Sequence, residues 1–297
     1  MKIAYVPKNF RASTLEIIEQ ADAIVKEYQA QGLDLTLRQL YYQFVARDLL
    51  PNNKKSYSRL GSIINDARLA GKIDWDALED RTRNLRGNRH ETSPGQAISD
   101  IAEYYGIDKW QNQPRRVEVW VEKEALIGVF AGICSQLDVD YFACKGFVSQ
   151  SEMWRASLRM IRYTRAGQSP VILHFGDHDP SGLDMTRDNG NRFKVFTANM
   201  EIRRIALNMD QVEQYQPPPN FAKDTDSRFK TYQEQFGDES WELDALDPTV
   251  LRNLVEQNVL ELRDPDLWEE MEERESRERS QLQDISAQWE DVVEQFC

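Results

Sequence analysis

Residues 170–182 read PVILHFGDHDPSG, an apolar run that stops on two aspartates one residue apart. Val171, Ile172, Leu173 and Phe175 are apolar on both faces, and Pro and Gly bound the run, which is the pattern of a buried parallel strand. Asp177 and Asp179 then sit at its carboxyl end, where an open α/β sheet binds ligands. Two carboxylates there can converge on a hard cation such as Mg²⁺, which prefers oxygen donors. Pro180 suits the first turn of a following helix, and Gly182 permits a close approach. The same letters are also common turn formers, so the stretch alone leaves a plain strand-to-turn junction open.

Working outward, strands alternate with helices on both sides of this run. Residues 117–121, VEVWV, read as a strand, followed by a helix to about Leu137 and a short strand in DVDYFA. Ser149 and Glu152 have capping-box spacing at the head of a helix to about Ala166. After the aspartates come a helix from Pro180 to about Phe196 and a strand-like MEIRRIAL. This order predicts an α/β fold with a mainly parallel sheet flanked by helices.

Upstream the pattern is helical. Leu15, Ile17, Ile18, Ala21, Ile24, Val25 and Tyr28 have helical spacing, with Ser13 as the expected cap; a second helix begins near Thr36 and a third covers about Ser56 to Ala70. Three short helices in so few residues predict a helix-turn-helix or winged-helix module. NLRGNRHETSPGQ reads as a linker, and Ser93 with Pro94 starts a further helix. Downstream, Gln216 to Asp238 reads as a long surface connection, then WELDAL and VLRNLVEQNVLEL as helical. Leu282, Ile285, Trp289, Val292 and Phe296 alternate at three and four, a seam for one partner helix, expected on the chain's own body. The expected domains are 1–110, 111–263 and an acidic helical tail, 264–297.

The 297 residues carry a net charge of −13, unevenly spread. Residues 1–116 hold 18 Lys+Arg against 15 Asp+Glu, whereas residues 238–297 hold 5 against 19. The front part can therefore still face a polyanion. Arg59, Arg68 and Lys72, on or just after the third helix, are the candidate phosphate contacts, with Arg81, Arg83, Arg86 and Arg89 following. A mixed-charge helix surface is also ordinary for a solvated face. No run of eighteen apolar residues occurs, and the start of the chain, MKIAYVPKNF, lacks a signal-peptide core. The three cysteines, Cys134, Cys144 and Cys297, form no ligand spacing. A cytoplasmic protein is expected, nucleoid-associated if it binds DNA, with no membrane partner.

Glu122 ends the first strand of the sheet as the aspartates end theirs. Three carboxylates in a small space repel unless a cation neutralises them, although Glu122 alone could simply open a helix. With VEKEA at 121–125, GDHDPSG at 176–182, and RQLYY at 38–42 on the helical module, the sequence resembles the A subunit of type IIB DNA topoisomerases (topoisomerase VI) and the related meiotic double-strand break protein. The resemblance covers roughly residues 30–210. It implies a winged-helix domain with a nucleophilic tyrosine and a Toprim domain that holds Mg²⁺ through a Glu and two Asp. By matching motifs, Glu122, Asp177 and Asp179 take the metal places, Tyr42 the catalytic place and Arg38 that of the family's arginine.

Helix geometry supports Tyr42 independently. Leu37, Leu40, Tyr41, Phe44 and Val45 form one apolar stripe, which assigns Tyr41 to the core. Tyr42 is offset and shares its face with Arg38, four residues earlier. A cation beside the phenol is expected to favour the phenolate.

The expected chemistry is attack of Tyr42 on a backbone phosphorus, leaving a phosphotyrosine that can be resealed. With tyrosine and metal on different domains, the family implies a homodimer with active sites shared between subunits on double-stranded DNA. No Gly-rich nucleotide loop is present, so ATP-driven strand passage requires a separate B-type ATPase subunit. His178 departs from the family, where a smaller residue is usual, and is expected to crowd the site or contact DNA; zinc is disfavoured, since His90 is the only histidine outside the stretch. Lys123 reads either as a phosphate contact or as an ordinary helix-opening lysine. Two alternatives stay open: a metal-dependent Toprim nuclease with water as nucleophile, and a catalytically silent DNA-binding or scaffold protein.

Overall fold

A computed structural model describes residues 1–78, 90–196, 198–222, 225–289 and 293. Arg81, Arg83, Arg86, Arg89, Val292, Phe296 and Cys297 lie outside the described residues.

Strands β1 (Arg115–Val121), β2 (Asp140–Ala143), β3 (Ser169–Phe175) and β4 (Glu201–Ala206) form one sheet in the order β2-β1-β3-β4, every neighbouring pair parallel. Side chains alternate across it with period two. Val117, Val119, Val121, Val171, Leu173 and Phe175 point to one face, where they meet Val129, Phe130 and Ile133 of one covering helix and Leu251, Val255 and Val259 of another. Trp120 and Ile172 point to the other, against Met153, Ala156, Met160 and Phe193. Helices on both faces explain why these strands read as continuous apolar runs.

The buried charge on β1 is Glu118, at 2% exposure. It takes two bonds from the Arg159 guanidinium, at 2.9 and 3.0 Å, and one from the Trp120 indole at 2.9 Å. A charge in this layer persists because its oxygens are satisfied.

Ahead of the sheet, α1 (Ala12–Gln29), α2 (Leu37–Ala46) and α3 (Lys54–Leu69) pack around Ile18, Ile24, Tyr28, Leu40, Phe44, Leu60 and Ile64. Thr36 and Gln39 close a capping box on α2, and Asn53 caps α3. Ser13 is not the cap of α1: Arg11 holds that position with no side-chain cap bond. α4 (Pro94–Tyr104) follows, capped by Ser93.

Between the strands run α5 (Ile127–Gln136), α6 (Gln150–Arg165) and α7 (Pro180–Val195); α8 (Met209–Tyr215) follows β4. The stretch 216–238 is more than a connection. It contributes β5 (Asn220–Phe221), which pairs with β6 (Glu239–Ser240), and α9 (Phe229–Phe236), whose Tyr232 is buried. The WELDAL stretch is one 3-10 turn, Leu243–Ala245, not a longer helix. α10 (Pro248–Leu262) covers the sheet, and α11 (Pro265–Ala287) packs along α4. Within the described part of the terminal seam, Trp289 lies against Gly95 of α4, so that stripe meets the chain's own body. Among the described residues, no helix is long and apolar enough to cross a membrane.

Candidate active site

In the order β2-β1-β3-β4, the connections leave β1 on opposite sides, so the crevice beyond the carboxyl ends of β1 and β3 is the switch point where such sheets bind ligands. Glu122 and Asp177 stand there. The Glu122 amide continues the ladder, donating to Phe175 O at 2.8 Å, and Glu122 Oε2 accepts the Asp177 N–H at 2.8 Å. Asp177 Oδ1 accepts the Leu243 N–H at 2.7 Å and pairs with Lys123 Nζ at 3.0 Å. Asp179 caps α7, its Oδ1 accepting from Gly182 N at 2.6 Å and Ser181 Oγ at 3.1 Å.

The loop carrying the aspartates is held by steric fit and by one buried cation. A Cβ on Gly182 would stand 2.2 Å from the Asp177 carbonyl oxygen, so no larger residue fits there. Arg204 of β4 donates to the carbonyls of Gly176, Asp177, Gly182 and Leu207 and to Thr186 Oγ1, at 2.6–3.1 Å. Burial lowers its pKa to about 10, against the pull of Glu122, Asp177 and Asp179.

His178 is turned away from the acids. Its backbone pairs in both directions with Trp241, and its Nδ1 lies 2.9 Å from the Tyr232 hydroxyl. Phe236 and Trp241 stand edge-on to the ring at 4.7 and 5.7 Å. Burial lowers its pKa to about 4, and at 1% exposure it neither crowds the acids nor reaches a DNA surface. Its size is accommodated by an aromatic box that Tyr232 and Phe236 of α9 and Trp241, just after β6, build behind the loop.

Tyr42 arrives from the other half of the chain. Its hydroxyl donates to Glu242 Oε2 at 3.0 Å, and the Arg38 guanidinium lies 3.3 Å from the same hydroxyl. Arg38 also pairs with Glu242 and, through Nε at 2.7 Å, with Asp244. Lys123 Nζ reaches Glu242 at 3.1 Å, Asp244 at 2.8 Å and Asp177 at 3.0 Å. One bonded path therefore runs from Tyr42 through Glu242 and Lys123 to Asp177, within a single chain.

The electrostatics differ from the sequence expectation. Tyr41 and Tyr42 are both buried, at 4% and 5% exposure. Burial, with Asp244 and Glu242 nearby, raises the Tyr42 pKa, and Arg38 does not offset them. Glu242 is pulled down to about 2, since Lys123 and Arg38 outweigh its burial. Burial, with Glu122 beside it, pushes Asp177 up to about 7 although Lys123 opposes the shift. Glu122 is raised as well, by burial first and by Asp179.

Of the candidate phosphate contacts, Arg59 and Lys72 are exposed. Arg68 is half-buried and donates to the carbonyls of Trp75 and Leu78 at 2.8 and 2.6 Å, which ties down the chain after α3. Sequence reasoning missed Glu242, Asp244 and Arg204. Arg204 shares an edge strand with Arg203, and nothing in the sequence separates the two; Glu242 and Asp244 sit in a stretch that looks like any acidic turn.

Among the described residues, no three acid, histidine or cysteine side chains are gathered so as to hold a metal ion. The donors nevertheless suit a hard cation in kind. The bonds that orient Glu122, Asp177 and Asp179 engage Oε2, Oδ1 and Oδ1, one oxygen of each. Such anchoring bonds typically fix metal-binding carboxylates. Burial is the first cause that raises Glu122 and Asp177, and the neighbouring acids add to it while Lys123 opposes. No protein-family model matches the chain, and no curated protein matches it.

Proposed function

We propose that the protein is a DNA-cleaving enzyme of the type IIB topoisomerase A kind, with a winged-helix-like front half and a Toprim-like sheet domain. The observation that carries this reading is the bonded path from the Tyr42 hydroxyl through Glu242 and Lys123 to Asp177. A phenol beside an acid cluster at a sheet's switch point is an arrangement suited to phosphoryl transfer.

In this reaction Tyr42 Oη forms a bond to a backbone phosphorus while the bond from phosphorus to a sugar oxygen breaks. The phenol proton leaves to solvent, Glu242 being too weak a base to keep it, and the departing sugar oxygen takes a proton from water. Arg38 and Lys123, which share Glu242 and Asp244, hold the phosphate oxygens. Glu122, Asp177 and Asp179 would hold Mg²⁺, which polarises the phosphoryl oxygen and steadies the leaving alkoxide when bound. Because each chain carries its own phenol and acids, two copies cut the two strands of a duplex. ATP-driven strand passage calls for a B-type ATPase partner.

The experiment is incubation with supercoiled plasmid and Mg²⁺, stopped with detergent with and without protease. Protein-linked ends that vanish in Tyr42→Phe support transesterification; cleavage unaffected by Asp177→Asn would sink it. A second reading, a metal-dependent nuclease with water as nucleophile, is favoured by the burial and raised pKa of Tyr42. It predicts free ends that survive Tyr42→Phe. Intact plasmid under every condition would instead support a silent DNA-binding or scaffold protein.

A further inference from the structure

α6 and α7 cover one face of the sheet, and their outer side is basic and apolar in a chain of net charge −13. α6 holds four arginines against one glutamate. Arg155 pairs with Glu152 and Arg159 with Glu118, whereas Arg162, Arg165 and Lys194 have no carboxylate partner among the described residues. Large apolar side chains stand among these cations: Trp154 is 51% exposed, Leu158 47% and Val195 73%. Trp154 and Leu158 are four residues apart and so share one side of α6. Trp154 also lines a recess of about 420 Å³ with Gln150, Ser151, Arg155 and Phe196, just after α7. None of these side chains belongs to the site around Tyr42 and Asp177.

An occupant of this face has to bring negative charge and apolar side chains together. A nucleic acid offers phosphates, but Leu158 and Val195 are aliphatic and neither stack on bases nor bind phosphate. Residues 290–297 of the chain, EDVVEQFC, supply both kinds of group: Glu290, Asp291 and Glu294 are interleaved with Val292, Val293 and Phe296. Of these residues only Val293 is described, and it is exposed. The chain's own α4 holds Trp289, against Gly95, yet leaves Val293 uncovered four residues on. One chain therefore carries two complementary surfaces, a basic face and an acidic segment, and in the single copy the face and Val293 are both open to solvent.

We propose that residues 290–297 of one copy dock on the α6–α7 face of a second copy, and that the exchange is reciprocal. The apolar side chains of the segment cover Trp154, Leu158 and Val195, and its acids pair with Arg162, Arg165 and Lys194. Two such contacts close a twofold pair with no free end from which a filament could grow. The pairing needs no nucleic acid and stands apart from the cleavage reading.

The test is sedimentation equilibrium of the full chain without DNA, where the expected mass is twice the 34.6 kDa of one chain. Two changes should each weaken the pair about tenfold: Arg162→Glu with Lys194→Glu on the face, and removal of residues 290–297. Trp154→Ser, a second change at an exposed position of the face, should act in the same direction, with far-UV circular dichroism as the check on folding. The deciding step mixes the face variant, whose acidic segment is intact, with the shortened chain, whose face is intact. One of the two contacts can then form again, so the mixture should pair more tightly than either variant alone. No gain in the mixture, or a pair that survives both changes, overturns the proposal. So does a parent of single-chain mass at every concentration; if Trp154 emission then changes on removal of 290–297, the segment covers the face of its own chain. An unchanged mass, with weaker binding of the face variant to a labelled DNA duplex, would give the face to nucleic acid and overturn the docking of the segment.

Discussion

Tyr42 and Glu242 are 200 residues apart in sequence and meet in one hydrogen bond of 3.0 Å, from phenol to carboxylate. The same carboxylate group takes Arg38 and Lys123 and, with Asp244, opposes ionisation of the buried phenol. Glu242→Gln removes a charge that raises the Tyr42 pKa and leaves Arg38 beside the ring. The phenol of this variant should ionise at lower pH than in the parent, read from phenolate absorbance against Tyr42→Phe as the blank. A titration that does not move, or moves up, would show that Glu242 does not govern the phenol.

Asp177 and His178 pull stability in opposite directions with pH. The Asp177 carboxyl is raised from 3.8 to about 7, so the folded chain binds its proton more tightly than the unfolded chain. That contribution is full below the unfolded value and is lost as pH rises toward 7. His178 is lowered from 6.5 to about 4, so its contribution is full above 6.5 and is lost as pH falls toward 4. Asp177→Asn should therefore melt higher than the parent at about pH 8, by roughly 2–4 °C per kcal/mol of repulsion relieved. Millimolar Mg²⁺ should raise the melting point of the parent more than that of Asp177→Asn. His178→Phe, which still fills the aromatic box, should flatten the acid side of the profile.

Two glycines in helices should respond oppositely to alanine. Gly182→Ala places a methyl 2.2 Å from the Asp177 carbonyl and should cost about 1–3 kcal/mol as the loop is forced open. Gly132→Ala, in α5 with nothing within 4 Å of its new methyl, should be neutral or gain about 0.5–1 kcal/mol. Denaturant melts of the pair decide it. Equal effects would mean that the contact at Gly182 does not constrain the acid loop.

Arg204 should not tolerate lysine. Its guanidinium serves four carbonyls and one hydroxyl, a fan that three ammonium protons cannot reproduce. Arg204→Lys is expected to lose about 2–4 kcal/mol through carbonyls left without donors. Hydrogen exchange should rise at Gly176, Asp177 and Gly182 before it rises elsewhere. A melt like that of the parent would remove Arg204 from its role as the clamp of the loop.

The sheet was legible because its strands are apolar on both faces, and several helices were legible from caps, Thr36, Ser93 and Ser149. The placement of Glu122 and Asp177 followed from strand ends alone, since adjacent parallel strands put their carboxyl termini side by side. What stayed hidden depended on contacts distant in sequence. Arg38 beside Tyr42 predicted a more acidic phenol, but burial, joined by two carboxylates from beyond residue 240, reverses that sign. His178 looked like a site residue because of its neighbours in sequence, whereas its neighbours in space are Tyr232, Phe236 and Trp241. The stretch 216–238 looked empty because its apolar residues are few, yet those few form the box.

Glu242, Leu243 and Asp244 are three successive residues whose bonds reach Arg38, Tyr42, Lys123 and Asp177. The short turn thus works like a wedge driven between two blocks. A recombinant piece that stops after the fourth strand would contain every motif by which the sequence was first read, yet its phenol and acids would have nothing to align them. Dissection of this protein into separately expressed halves would therefore dismantle the arrangement it was meant to isolate.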